Sequence, residues 1–239
     1  MVKAVLFDFT QTLADSSDAF RAAEKQAQHR IFEDLALESW DDFLAGYRAL
    51  RKKCQAAAAN FPRCDLWRQV YLHHGRQADE AVLKKWELEY WQAVGDGTAL
   101  FPEAAAVLAG LSAEYSLGLV TNKQGPGVWD DHVISRFAQL KRLLEAIVVA
   151  GDAGVPAKPD PAGFLLCLKR LGAKAGEAVY VGDDYRVDIC GARAAGIRPI
   201  WIKHRAVSRN WPEVADPAPV IESLDELLDI EGVLQRGHG

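Results

Sequence analysis

Reactive side chains stand at the ends of four apolar runs that lie far apart in the chain. Asp8 follows Ala4-Val5-Leu6-Phe7, and Thr121-Asn122-Lys123 follows Leu117-Gly118-Leu119-Val120. Lys158 comes after Ala146-Ile147-Val148-Val149-Ala150. Asp183 and Asp184 follow Ala178-Val179-Tyr180-Val181, with Asp188 just beyond. In an open parallel sheet, ligands bind where the strands end. The four ends would therefore gather carboxylates, a hydroxyl and an ammonium into one crevice, a set suited to phosphoryl chemistry. Carboxylates without His or Cys favour a hard cation such as Mg²⁺, which neutralises phosphate oxygens. Asp8 is placed to act as a covalent nucleophile.

The elements that must position these groups follow from the pattern. A first strand over residues 2–9 and a second over 116–121 are separated by roughly a hundred residues, far more than an ordinary crossover. The intervening stretch is helical in four pieces, 18–37, 40–59, 65–74 and 79–94, punctuated by Asn60-Phe61-Pro62 and His73-His74-Gly75. Beyond it the pattern alternates: helix 103–111, strand 116–121, helix 128–144, strand 146–150, helix 161–171, strand 178–181, helix 187–195, strand 198–202. The expected fold is α/β, a doubly wound parallel sheet with an inserted α-helical cap. Residues 1–14 and 99–239 would form the core and 15–98 the cap.

Bulk composition narrows the function. With 239 residues and 49% hydrophobic content, the chain can bury a sizeable core. A formal charge of −5 argues against nucleic acid or an anionic membrane as partner, so an anionic substrate must be held by local positive charge. Cys54, Cys64, Cys167 and Cys190 form no CxxC pair, which reads as free thiols. Asp8 interrupts the N-terminal apolar run before it could serve as a signal segment, and no run reaches membrane-spanning length. The expectation is a cytoplasmic protein.

The same residues carry a resemblance. Asp8-Phe9-Thr10-Gln11-Thr12, Leu119-Val120-Thr121-Asn122-Lys123, Lys158-Pro159-Asp160-Pro161 and Val181-Gly182-Asp183-Asp184 through Asp188 and Gly191-Ala192 occur in order. Together they resemble the four motifs of the haloacid dehalogenase-like hydrolase superfamily, over essentially the whole chain. The resemblance implies a Rossmann-type core, hydrolysis of a small phosphorylated metabolite through an aspartyl-phosphate on Asp8, and Mg²⁺ as cofactor. Asp8, Asp183 and the backbone carbonyl of Thr10 would hold the metal, with Asp188 supporting it. Thr121 would bond the transferring group, and Lys158 would pair with Asp8 and the developing charge. Thr12 would orient the nucleophile loop, and Thr12, Asn122 and Lys123 are candidate substrate contacts. The helical insert would be a lid that selects the substrate and excludes water.

Two residues depart from the pattern. The family's phosphatases usually carry a second Asp two positions after the nucleophile, as general acid and base; here that position is Thr10. Losing such help typically costs about 10²–10⁴-fold, most on poor leaving groups. Gln11 stands where Gly is common, so the turn must be one that a side chain tolerates. Dehalogenase and phosphonatase branches also lack the second Asp. However, a dehalogenase usually lacks the acidic pair Asp183 and Asp188, and no cap lysine is marked for imine formation. A non-catalytic binding protein on the same fold is the reading from another class. Asp184 reads equally as a helix cap. In the insert, Arg48, Arg51, Lys52, Lys53, Arg63, Arg68 and Arg76 outnumber Asp65 over residues 47–76. That excess is a solvated helix face or a reader of a second anionic substrate group. Trp40, Trp67, Trp86 and Trp91 read as helix packing.

Overall fold

The computed structural model describes residues 1–57, 61–125, 133–208, 210–215 and 218–235. They fall into two compact units: one takes Met1–Asp15, Ala99–Lys123 and described residues from 133 onward, the other chiefly Ser16–Thr98.

The first unit holds β1 (Ala4–Phe7) and the short β2 (Ala14–Asp15) and β3 (Ala99–Leu100). It continues with α5 (Ala104–Leu111), β4 (Ser116–Asn122), α6 (Ala138–Lys141), β5 (Ala146–Ala150) and α7 (Ala162–Leu171). Then come β6 (Ala178–Gly182), α8 (Cys190–Ala194), β7 (Arg198–Ile202), β8 (Val220–Ile221) and α9 (Ile230–Gln235). Six of the strands form one parallel sheet in the order β5-β4-β1-β6-β7-β8. Its strands are apolar on both faces, as a sheet covered on both sides requires. Val5 and Phe7 of β1, with Leu117, Leu119, Val179 and Val181, join a core completed by α5 and α9. Ala4 and Leu6, with Val120 and Tyr180, face the opposite core with Phe164, Cys167 and Leu168 of α7. Burying a side chain such as Leu6 or Phe7 contributes about 1.5–3 kcal/mol.

The second unit is helical: α1 (Ser17–Asp34), α2 (Trp40–Ala57), α3 (Arg63–His73) and α4 (Glu80–Asp96). Ile31, Phe43, Trp67, Leu83 and Tyr90 form its core, so the tryptophan reading as packing holds for Trp67. Trp67 is wholly buried, its indole N–H donating to the Tyr47 hydroxyl at 3.2 Å. The carboxylate of Asp79 accepts from Ala81 N and Val82 N and fixes the start of α4, a cap worth about 1 kcal/mol.

Several boundaries differ from the sequence pattern. The first strand stops at Phe7, because Asp8 onward turns to form the site loop. Of the helix expected over 128–144, residues 128–132 lie outside the described residues. The remainder is a 3₁₀ turn, Val133–Arg136, and the four-residue α6. Residues 58 and 59 of the expected second helix are likewise outside them. The helix expected from 187 opens as a wide π-type turn, Tyr185–Ile189. All four cysteines are free, Cys54, Cys64 and Cys167 buried and Cys190 exposed. No helix among the described residues is long and apolar enough to cross a membrane.

Candidate active site

Strand register brings the dispersed residues together. Phe7 pairs with Leu119 on one side and Val181 on the other, and the ladder runs one step further as Asp8 N donates to Val181 O at 2.9 Å. Asp8 therefore emerges between the end of β4, which carries Thr121, and the end of β6, which leads into Asp183. The chain then turns sharply: the amides of Leu13 and Ala14 both donate to Phe9 O, and Gln11 N to Ala14 O. Gln11 has φ of +64°, so the turn is the left-handed one that glycine favours, and the side chain is accommodated at a backbone cost.

Lys158 is the hub. Its ammonium donates to Asp8 Oδ1 at 2.7 Å, to Asp188 Oδ1 at 2.7 Å and to the Tyr180 phenol oxygen at 2.9 Å. An ammonium has three protons, and here each has an acceptor. The side chain is 1% exposed, so these bonds are made in a low-dielectric interior where pairing is mandatory. Asp188 reaches this point from the π-type turn. Asp184 caps that turn through its carboxylate, accepting from Arg186 N and Val187 N, while Asp188 Oδ2 accepts from Asp184 N at 2.9 Å. Glycine is required twice for these approaches. A Cβ at Gly182 would lie 2.4 Å from Asp188 Cβ, and one at Gly191 would lie 2.8 Å from the Phe164 ring and 3.2 Å from Pro159 Cα.

Carboxylates are concentrated at this centre. Asp8, Asp183 and Asp188 each bring a carboxylate oxygen to within 4.8 Å of the others, all buried, and Lys158 is the ammonium bonded among them. Burial is the main reason that the Asp8 pKa rises to about 6. Lys158 pulls it down and Asp188 pushes it back up. For Lys158, burial favours the neutral amine, but Asp188 and Asp8 outweigh it and hold the ammonium well above its usual range. The three carboxylates make a buried pocket of hard oxygen donors. That donor type fits a divalent cation such as Mg²⁺.

The remaining predicted residues divide. Thr121 is buried at the end of β4. Thr10 lies half-buried in the turn, bridged to Ala14. Thr12 is wholly enclosed, its hydroxyl without a hydrogen-bond partner, so a direct substrate contact is not what its position offers. Asn122 grips the backbone of Lys158: its Oδ1 accepts from Lys158 N at 2.7 Å and its Nδ2 donates to Lys158 O at 3.3 Å. It holds the lysine rather than standing free for substrate. Lys123 pairs with Asp152 at 2.8 Å, which takes up the charge expected to meet a ligand. Of the helical unit's cations, Arg51 pairs with Glu24, Arg68 with Glu80 and Asp65, and Arg63 lies over the rings of Phe61, Tyr90 and Trp91. Sequence reasoning missed Tyr180 and also Trp201, whose indole donates to Asp183 O at 2.9 Å. The signal for Tyr180 was a lone hydroxyl in an otherwise aliphatic strand.

A doubly wound sheet with a helical insertion after its central strand places the buried Asp–Lys centre where the strand order reverses around β1, the topological switch point at which open α/β sheets bind ligands. The family model described as haloacid dehalogenase-like hydrolase matches residues 2–196, and the chain belongs to that family of hydrolases. It is 30% identical over 247 residues to the ribulose-1,5-bisphosphate 5-phosphatase of Halopiger xanaduensis, covering 98% of each chain. Among solved structures, a 2-haloacid dehalogenase of Pseudomonas syringae is 27% identical with a TM-score of 0.62, covering 99% of each chain. A HAD-hydrolase of Bacillus subtilis bound to magnesium shares the fold at TM-score 0.68 and 24% identity, covering 96% of this chain and 98% of that one.

Proposed function

We propose that the protein hydrolyses a small phosphoester through a covalent intermediate on Asp8, with Mg²⁺ as cofactor. The observation that carries this reading is the convergence of three buried carboxylates, Asp8, Asp183 and Asp188, within 4.8 Å of one another. A dehalogenase acting on carbon has no need of such a cluster, whereas a cation bound there would neutralise phosphate oxygens. Asp8, Asp183 and the Thr10 carbonyl are the groups to hold that cation, and Asp188 holds Lys158.

Asp8 attacks phosphorus, the bond from phosphorus to the ester oxygen breaks, and the ester oxygen leaves as an alkoxide that takes its proton from water. Water then attacks phosphorus of the acyl phosphate, releasing inorganic phosphate and returning Asp8 as a carboxylate. Lys158 keeps Asp8 ionised and oriented, and stabilises charge that develops on the transferring group. Thr121 is the hydroxyl for a phosphoryl oxygen. The Thr10 hydroxyl is far too weak an acid to protonate the leaving group, so general-acid help is not supplied from this position. Turnover should therefore favour esters of acidic alcohols. Thr10 also favours a second reading, haloacid dehalogenation, to which the Pseudomonas syringae likeness lends weight.

One panel separates the two. Phosphorylated metabolites, an activated aryl phosphate, phosphonates and 2-haloacids are offered to wild type and Asp8→Asn, with Mg²⁺ and with chelator. Phosphate release that needs both Mg²⁺ and Asp8 is the expected result. Halide release that survives chelation would replace phosphatase with dehalogenase, and phosphate release by Asp8→Asn would remove Asp8 as nucleophile.

A further inference from the structure

The ammonium of Lys158 has three acceptors, and only two are carboxylates. The third, the Tyr180 phenol, sits at a junction. Tyr180 lies on β6 beside Leu6 of β1, two residues before Asp8, with its ring edge-on to Phe164 at 4.8 Å between centroids. Its oxygen accepts from Lys158 and stands 2.9 Å from Val120 O on β4 and 3.0 Å from Asp188 Oδ1. It thus reaches past the central strand and joins the β4 end, the lysine loop and the π-type turn at one atom. A phenol has one proton, and either of these two oxygens can take it.

The rest of Lys158 is fixed by a separate device, the two-bond grip of Asn122 on its peptide N–H and C=O. Backbone and tip are thereby held from the same strand: Asn122 ends β4, and Tyr180 bonds Val120 within it. Without the phenol oxygen, one ammonium proton would be left unpaired in the interior. The ammonium would then move toward Asp188 or draw in water, and its position relative to Asp8 would no longer be set.

We propose that Tyr180 is a positioning residue of the active site, holding the Lys158 ammonium on Asp8 in concert with Asn122. The inference rests on the reading of Asp8 as nucleophile. Tyr180→Phe deletes a single oxygen and keeps the ring against Phe164. Leaving a buried charged donor unpaired should lower kcat about 10- to 100-fold, with KM within about twofold because the phenol does not meet substrate. A merely structural role would move the unfolding midpoint and leave kcat of the folded enzyme alone. A folded Tyr180→Phe enzyme with kcat within twofold of wild type therefore overturns the proposal.

If Tyr180→Phe does not fold, 4-fluorophenylalanine installed at position 180 keeps a small substituent where the hydroxyl stands but offers a far weaker acceptor. A lowered kcat then supports the proposal, and an unchanged one overturns it. A readout independent of turnover is the ¹H–¹⁵N signal of the Lys158 ammonium, assigned by its loss in Lys158→Met. Protected from exchange in wild type, it should broaden into solvent exchange in Tyr180→Phe. An unshifted, protected signal would overturn the proposal even if wild type proved inactive on every phosphoester, the outcome that defeats the phosphatase reading instead.

Discussion

Replacing Lys158 by Met tests the electrostatic account of the centre, because it removes one charge and little volume. The ammonium makes two charge-assisted bonds of 2.7 Å inside a site it shares with three carboxylates. Deleting one partner of a buried ion pair costs about 3–5 kcal/mol, since the opposite charge is left uncompensated. The penalty must depend on pH. In the wild type, burial raises the Asp8 pKa to about 6, above its usual 3.8. By linkage, the stability tied to Asp8 is fully present below about pH 3.8 and is lost as pH rises through about 6. Removing Lys158 takes away the attraction that opposes this rise, so the Asp8 pKa climbs further and the deficit widens above pH 6. Urea unfolding of metal-free wild type and Lys158→Met should show a deficit of about 3–5 kcal/mol at pH 8, markedly smaller at pH 5. Mg²⁺ at pH 8 should restore part of it by supplying positive charge to the same oxygens. A deficit below about 1 kcal/mol at pH 8, or one equal at both pH values, would refute the reasoning.

Two further outcomes follow from other parts of the first unit. At Gln11, with φ of +64°, Gly should raise stability by up to about 1 kcal/mol while Ile lowers it by about 1–2 kcal/mol. Denaturant midpoints in the reverse order would mean that the turn is not held left-handed. Glu103 accepts from the His204 ring at 2.8 Å and from the Ser223 hydroxyl at 3.4 Å. Burial favours its protonated form, but its own backbone N–H and His204 outweigh that and hold its pKa below the usual 4.5. Its contribution is therefore present above pH 4.5 and lost as pH falls through the lower folded value. Glu103→Gln should melt below wild type at pH 7, with the gap closing in acid; parallel melting curves across that range would contradict the assignment.

The sheet was legible because its strands are apolar on both faces and end in charge. Ala146–Ala150 and Arg198–Ile202 match the pattern at both ends. The two-residue β2, β3 and β8 were not legible, since two residues cannot alternate. Within the site, Asp8 was readable as the charge that ends β1, and Lys158 and Asp188 as the charged residues that follow β5 and β6. The roles of Asn122 and Lys123 were not, because their partners, the Lys158 backbone and Asp152, lie about thirty residues or more away and only folding brings them near. The ion pairs of Arg51 and Arg68 in the basic stretch 47–76 were hidden for the same reason. The acids facing Arg51 and Arg68, Glu24 and Glu80, come from α1 and the start of α4, outside the window in which charge was counted. Tyr180 was hidden by its own strand, where an aromatic residue reads as core.

The helical segment leaves and rejoins the core through residue pairs that already face each other. Ala14 pairs with Leu100 and Asp15 with Ala99, while one step further the hydroxyls of Ser16 and Thr98 lie 2.8 Å apart within the helical unit. Both units thus have their ends tied where the chain crosses between them. The entropy of closing so long a loop is met by these few bonds, and it grows only slowly with the length enclosed. The insert is a cassette: its length and sequence can change, in evolution or by design, without altering where β1 ends, and hence where Asp8 stands.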